Sequence, residues 1–146
     1  MLAAYMLHIN IVNILLESRA DVNMKEDQYG NTALTMAASV YVKDRTREYG
    51  AKRNEEASEE DRISIIKNLV EHGADINIRN KYGRTALSIA STRNSIYAVQ
   101  ILIDLGADVN IKDNDGDTAL MMAMKYNQST QKEGIVKLLK KSEAKK

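Results

Sequence analysis

Apolar residues recur along the chain in short clusters at helical spacing, separated by polar, turn-forming stretches. Leu34, Ala37 and Ala38 stand at i, i+3 and i+4, and Leu87 with Ala90 and Leu120 with Ala123 repeat the stripe. This spacing predicts short amphipathic helices with a narrow face of small residues. Behind them come clusters of larger side chains: Ile66, Leu69 and Val70, then Val99, Leu102 and Ile103, then Val136 and Leu139. These predict a second, bulkier helix in each unit. Gly30, Gly83 and Gly116 follow the polar pairs Gln28-Tyr29, Lys81-Tyr82 and Asn114-Asp115, where a tight turn needs a positive φ. Thr32, Thr85 and Thr118 then stand where an N-cap hydroxyl accepts the first free amides of the short helix. Gly73 and Gly106 suit left-handed ends for the second helix.

The clusters keep a constant period. Ala-Asp-Val-Asn at residues 20–23 returns as Ala-Asp-Ile-Asn at 74–77 and Ala-Asp-Val-Asn at 107–110, while Gly-x-Thr-Ala-Leu occurs at 30–34, 83–87 and 116–120. Thr85 and Thr118 are 33 residues apart, as are Ala74 and Ala107, whereas Thr32 and Thr85 are 53 apart, one period plus an insertion of 20. A period of this length marks a solenoid of stacked units.

These words, in the unit that runs from Asn80-Lys81-Tyr82-Gly83-Arg84-Thr85-Ala86-Leu87 to Gly106-Ala107-Asp108-Val109-Asn110, resemble the ankyrin repeat. The resemblance implies an all-α solenoid of helix-turn-helix units joined by short hairpin-like loops. It divides a single domain, residues 1–146, into a truncated unit over about 1–25, a unit over 26–78 with an insertion at about 41–60, a unit over 79–111 and a C-terminal cap over 112–146. Leu2-Ala3-Ala4, His8, Ile11-Val12 and Ile14-Leu15-Leu16 are in register from the start, so the chain is expected to begin inside the first helix of a repeat and to expose Leu2, Tyr5 and Met6.

Several positions depart from the family pattern. Ala33, Ala86 and Ala119 replace its proline, and Thr35, Ser88 and Met121 replace its histidine, which weakens the repeat-to-repeat hydrogen bonds that histidine makes. Arg19 and Glu143 stand where glycine would end the second helix, a left-handed position that costs a non-glycine residue about 1–2 kcal/mol. Modest stability with frayed ends is expected.

Composition narrows the chemistry. The 146 residues carry 21 basic and 20 acidic side chains and no cysteine, proline, tryptophan or phenylalanine. A net charge of +1 gives no electrostatic reason to expect nucleic acid or an anionic membrane as partner. Without cysteine there is no disulfide framework, thiolate metal site or cysteine nucleophile. No apolar run is long enough to span a membrane. The apolar first sixteen residues lack the basic start and the cleavage site of a secretory signal, so the cytoplasm is the default compartment.

Asp113-Asn114-Asp115-Gly116-Asp117 invites a calcium-loop reading, but the motif needs glycine sixth and a bidentate glutamate twelfth, and here Gly116 is fourth and Met124 twelfth. His8 at an inter-helix turn and His72 in the last turn of a second helix read as structural or solvated. No nucleophile elbow, phosphate loop or zinc-protease motif occurs. We therefore expect no enzyme activity and no cofactor or metal. The insertion is basic first (Lys43, Arg45, Arg47, Lys52, Arg53) and acidic after (Glu55, Glu56, Glu59, Glu60, Asp61). That polarity suits a helix extended past Val40 to about Gly50 and another beginning near Ser58, with Ser58 and Asp61 in a capping arrangement. It reads first as a solvated extension and second as a specificity element.

Function then falls to the surface. In ankyrin-like proteins the variable positions around the hairpin glycine and after the inner helix contact partners. Carried over, the resemblance implicates Gln28, Tyr29, Asn31 and Ser39 in one unit, Lys81, Tyr82, Arg84, Thr92 and Arg93 in the next, and Asn114, Asp115, Asp117, Lys125 and Tyr126 in the last. Tyr29 and Tyr82 hold equivalent places, so their rings are expected side by side. The expectation is a non-catalytic protein-interaction module for an unidentified protein partner. Its alternative is a substrate-recruiting or regulatory segment of a longer enzyme or effector. A monomer is expected, with self-association through the truncated first unit as the competing state.

Overall fold

The computed structural model describes residues 1–39, 59–93, 95–126 and 132–144. Among these it contains eight helices and no strand: α1 (Leu2–Tyr5), α2 (Ile9–Glu17), α3 (Ala33–Ser39), α4 (Glu59–Glu71), α5 (Ala86–Thr92), α6 (Ile96–Asp104), α7 (Ala119–Tyr126) and α8 (Lys132–Glu143). None of the described helices is long and apolar enough to cross a membrane. The helices pair as α1/α2, α3/α4, α5/α6 and α7/α8. The first members form one row (α1 on α3, α3 on α5, α5 on α7) and the second members another (α2 on α4, α4 on α6, α6 on α8). The core is therefore a seam between two helix rows, as expected of a solenoid in which each unit buries its apolar face on its neighbours.

Local chemistry explains each element. Thr85 caps α5 in a reciprocal box: its side chain accepts from the Ser88 amide at 3.3 Å, and the Ser88 hydroxyl accepts from the Thr85 amide at 3.0 Å. Thr32 and Thr35 do the same for α3, at 3.3 and 2.8 Å. Thr118 accepts from Met121 at 3.4 Å in α7, but methionine has no oxygen with which to close the box. Residues in the place of the family histidine thus become local caps in two units. Ala37, Ala38, Ala90 and Ala123 are fully buried in the inner row, and Ile65, Ile66, Val99, Leu102, Ile135 and Leu139 fill the space behind them.

The ends of the second helices meet the expectations in part. Gly73 and Gly106 have φ of +89° and +94°, and Arg19 takes the left-handed conformation at +58°. Glu143 does not, because α8 runs through it as helix. Leu7 is also left-handed at +54°, and its side chain is buried between α1 and α2.

The repeated Ala-Asp-Val/Ile-Asn word has two jobs. The Asp21, Asp75 and Asp108 carboxylates each accept the amide two residues on, fixing the loop after the helix. The Asn side chains reach the following unit: Asn23 donates to the Gly73 carbonyl at 3.0 Å and accepts from the Asp75 amide at 2.8 Å, and Asn77 accepts from the Asp108 amide at 2.9 Å.

The expected extension past Val40 and the Ser58 cap lie outside the described residues. Glu59 does begin α4, yet its acidic first turn is not merely solvated. Glu59 Oε1 accepts from the Ser95 hydroxyl at the start of α6 and from Arg62 at 3.3 Å, and the Arg62 side chain is buried. Burial disfavours the charge of that guanidinium and Glu59 partly restores it.

Candidate functional site

The hairpins at 80–84 and 113–117 are built alike, and that at 26–31 is wider by one residue. A side-chain oxygen accepts the amides of the turn: Asn80 Oδ1 from Tyr82 and Arg84 at 3.0 Å each, and Asp113 Oδ1 from Asp115 and Asp117 at 3.0 Å each. In the first hairpin this role falls to Glu26, which accepts from Gln28, Tyr29 and Asn31. Desolvation pushes the Glu26 carboxyl up, but those three amides and the Lys81 charge outweigh it and hold it below its ordinary value.

Successive hairpins are tied backbone to backbone. The Lys81 amide donates to the Tyr29 carbonyl at 2.9 Å and the Asn114 amide to the Tyr82 carbonyl at 3.0 Å. Side chains reinforce the tie: Asn80 to Asn31 at 2.9 Å, Lys81 to the Asp27 carbonyl, and Asn114 to the Lys81 carbonyl at 2.8 Å.

This tie sets the aromatic pair. Tyr29 and Tyr82 stack with ring centroids 6.2 Å apart and planes 25° from parallel. The Arg84 guanidinium lies 5.7 Å from the Tyr82 ring centre, in range for a cation–π contact, and its Nε faces Asp113 Oδ2 at 3.4 Å. Beneath the rings lies a groove of about 210 Å³ lined by Tyr29, Asn31, Thr35, Ser39, Asn80, Tyr82, Arg84, Ile89, Thr92 and Arg93.

Seven of the fourteen residues singled out from sequence line this groove: Tyr29, Asn31, Ser39, Tyr82, Arg84, Thr92 and Arg93. Gln28 and Lys81 sit on the hairpins outside it, Gln28 donating to the Tyr29 hydroxyl at 2.7 Å. Asn114 uses its amide on the preceding hairpin, and Asp115 is exposed in the last turn. Asp117 is buried and bound by Lys125, whose Nζ reaches Oδ2 at 2.6 Å. The Asp117 hydrogen bond holds the Lys125 ammonium above the usual lysine range against desolvation. Tyr126 is exposed at the end of α7.

Thr35, Asn80 and Ile89 also line the groove and were not anticipated. Thr35 stands one helical turn before Ser39 and Ile89 three residues before Thr92, so helical spacing carried the signal.

Among the described residues no group of three or more His, Asp or Glu side chains is placed to hold a metal ion. His8 stands at the N-cap position of α2 without a side-chain cap hydrogen bond, and His72 Nδ1 lies 2.7 Å from the Asn68 carbonyl.

The family described as ankyrin repeats, in three copies, matches residues 55–146, more than half of the chain. No curated protein matches it. Outside the matched region, α3 carries the same kind of capping box as α5, whereas neither α1 nor α2 has a side-chain cap hydrogen bond.

Proposed function

The chain belongs to the ankyrin-repeat family, whose members generally serve as protein–protein interaction modules, and on that premise we propose that it binds a protein partner non-catalytically through its hairpin tips and inner helices. The observation that supports this most is the Tyr29–Tyr82 stack beside Arg84, standing over an open groove between the second and third units. Tyrosine and arginine are the side chains most favoured as interface anchors, because each combines large area with a polar end. Recognition by such a surface needs shape and anchors and no reactive group.

The test is affinity capture with the wild-type chain beside a Tyr29→Ala/Tyr82→Ala/Arg84→Ala variant. A partner retained by the wild type and lost by the variant supports the reading. Unchanged capture moves the working face elsewhere.

A second reading makes these repeats a recruiting segment of a longer enzyme or effector. It draws on the apolar end face where Ile11 and Leu15 are 49% and 43% exposed, although their equivalents Ala98 and Leu102 are fully buried. An open frame upstream of Met1 supplying a further unit would support it, and a stop codon there would count against it.

A further inference from the structure

We propose that the groove takes an acidic peptide segment of the partner, with one Asp or Glu side chain held between Arg84 and Arg93 and the adjoining chain laid against the Tyr29–Tyr82 stack; this rests on the interaction-face reading above. Charge complementarity carries it. Among the described residues the groove is walled by two arginines and no carboxylate. Two acids touch the lining: Glu26 is committed to the amides of Gln28, Tyr29 and Asn31, and Asp113 is buried beneath its hairpin with Oδ1 committed to the amides of Asp115 and Asp117. Asp113 meets only Nε of Arg84, at 3.4 Å, so the two terminal nitrogens of that guanidinium make no hydrogen bond among the described residues. The exposed Arg93 side chain makes no ion pair or hydrogen bond among the described residues.

The next unit differs. There Asp117 takes the place of Arg84 and Lys125 that of Thr92, and the two neutralise each other. Of these two equivalent places, only the one between the second and third units keeps a cation, Arg93, with no ion pair among the described residues.

Arginine forks are matched to carboxylates, which they can hold through paired hydrogen bonds. The remaining polar lining suits a peptide. The Ser39 and Thr92 hydroxyls donate to the Met36 and Ile89 carbonyls at 2.8 Å each, and so present lone pairs to the amide hydrogens of an extended chain. A long polyanion fits poorly, because the exposed Asp27 and Asp115 lie on the hairpins to either side of the one that carries Arg84.

The test is selection of phage-displayed random dodecapeptides on the intact chain, on Arg93→Glu and on Tyr29→Ala/Tyr82→Ala, each confirmed folded by circular dichroism. Arg93→Glu leaves the Arg84–Asp113 contact in place. The wild type is expected to enrich peptides with Asp or Glu at a fixed position. Calorimetry should show affinity falling about tenfold when that acid becomes Gln or Asn, and Arg93→Glu should enrich Lys or Arg there instead. Peptides with no fixed acidic position, acid-dependent binding that Arg93→Glu leaves unchanged, absence of enrichment, or retention of an oligothymidylate in place of peptide would each overturn the proposal. Acid-free peptides lost from the tyrosine variant overturn the acidic preference and leave the interaction face standing. Peptides that bind all three proteins alike overturn both.

Discussion

Three glycines occupy the same place in the repeated word, yet alanine should cost differently at each. Gly30, Gly83 and Gly116 all have positive φ, +70°, +75° and +83°, so every substitution carries the left-handed strain of about 1–2 kcal/mol. Their surroundings separate them. A Cβ at Gly116 meets nothing within 4 Å. At Gly30 it lies 3.2 Å from the Lys81 amide nitrogen, close enough to ask a few tenths of an ångström from the next hairpin. At Gly83 it falls 2.7 Å from the Asn114 amide nitrogen and 2.5 Å from its Oδ1, so that hairpin must move.

Moving it endangers three hydrogen bonds: Asn114 amide to the Tyr82 carbonyl, Asn114 side chain to the Lys81 carbonyl, and Arg79 to Asn114 Oδ1. At about 0.5–1.5 kcal/mol apiece these add about 1.5–4.5 kcal/mol to the strain. The expected order of destabilisation is Gly116→Ala at about 1–2 kcal/mol, Gly30→Ala slightly more, and Gly83→Ala at about 3–6 kcal/mol. Urea denaturation followed by far-ultraviolet circular dichroism reads the series directly. Equal losses at all three would refute the claim that adjacent hairpins are in backbone contact.

Leu102→Ala should cost about 2–5 kcal/mol because the side chain is fully buried, and Leu15→Ala under about 1 kcal/mol although it holds the same register position, both by urea denaturation. Glu26→Gln should lower stability at neutral pH. Since the native carboxyl titrates below its ordinary 4.5, the wild-type advantage is full above that value and fades as pH falls through the native one, so urea midpoints of the two proteins should converge in acid. Glu59→Ala, which removes the acceptor shared by Ser95 and Arg62, should destabilise by about 2–3 kcal/mol in the same assay despite lying in an acidic run that reads as solvated.

What could be read in advance was local. Turn glycines, threonine caps and helix-facing alanines each depend on a few neighbouring residues, so the repeated words located them in the three units that follow the first. The tyrosine stack followed because equal register places equivalent side chains one unit apart. Contacts chosen between units were harder. Asp27 has the same spacing to its glycine as Asn80 and Asp113, yet Glu26 takes the turn amides, because the first hairpin is wider by one residue and closes through the Glu26–Asn31 backbone bond. Glu143 reads as a helix end by alignment with Gly106, but α8 continues through it. Arg62, in a charge-rich stretch, is buried because α4 starts a turn earlier than α6 and brings it under the Ser95 end of the neighbouring helix. Seven of the ten residues lining the groove were identifiable from hairpin and helix-end positions, whereas Thr35 and Ile89 required knowing which helix faces turn toward the tyrosines, and Asn80 that its side chain crosses to Asn31.

The asparagines that lace one unit to the next, Asn23 and Asn77, lie in the loops after the second helices, and the groove is lined by other residues altogether. The Asn31–Asn80 bond, by contrast, both ties two hairpins and lines the groove, so cohesion is divided between letters the groove shares and letters it does not. Such a division sorts the lining by its freedom to change: Ser39 and Arg93 can drift without touching the lacing, whereas Asn31 and Asn80 hold the array upright from within the groove.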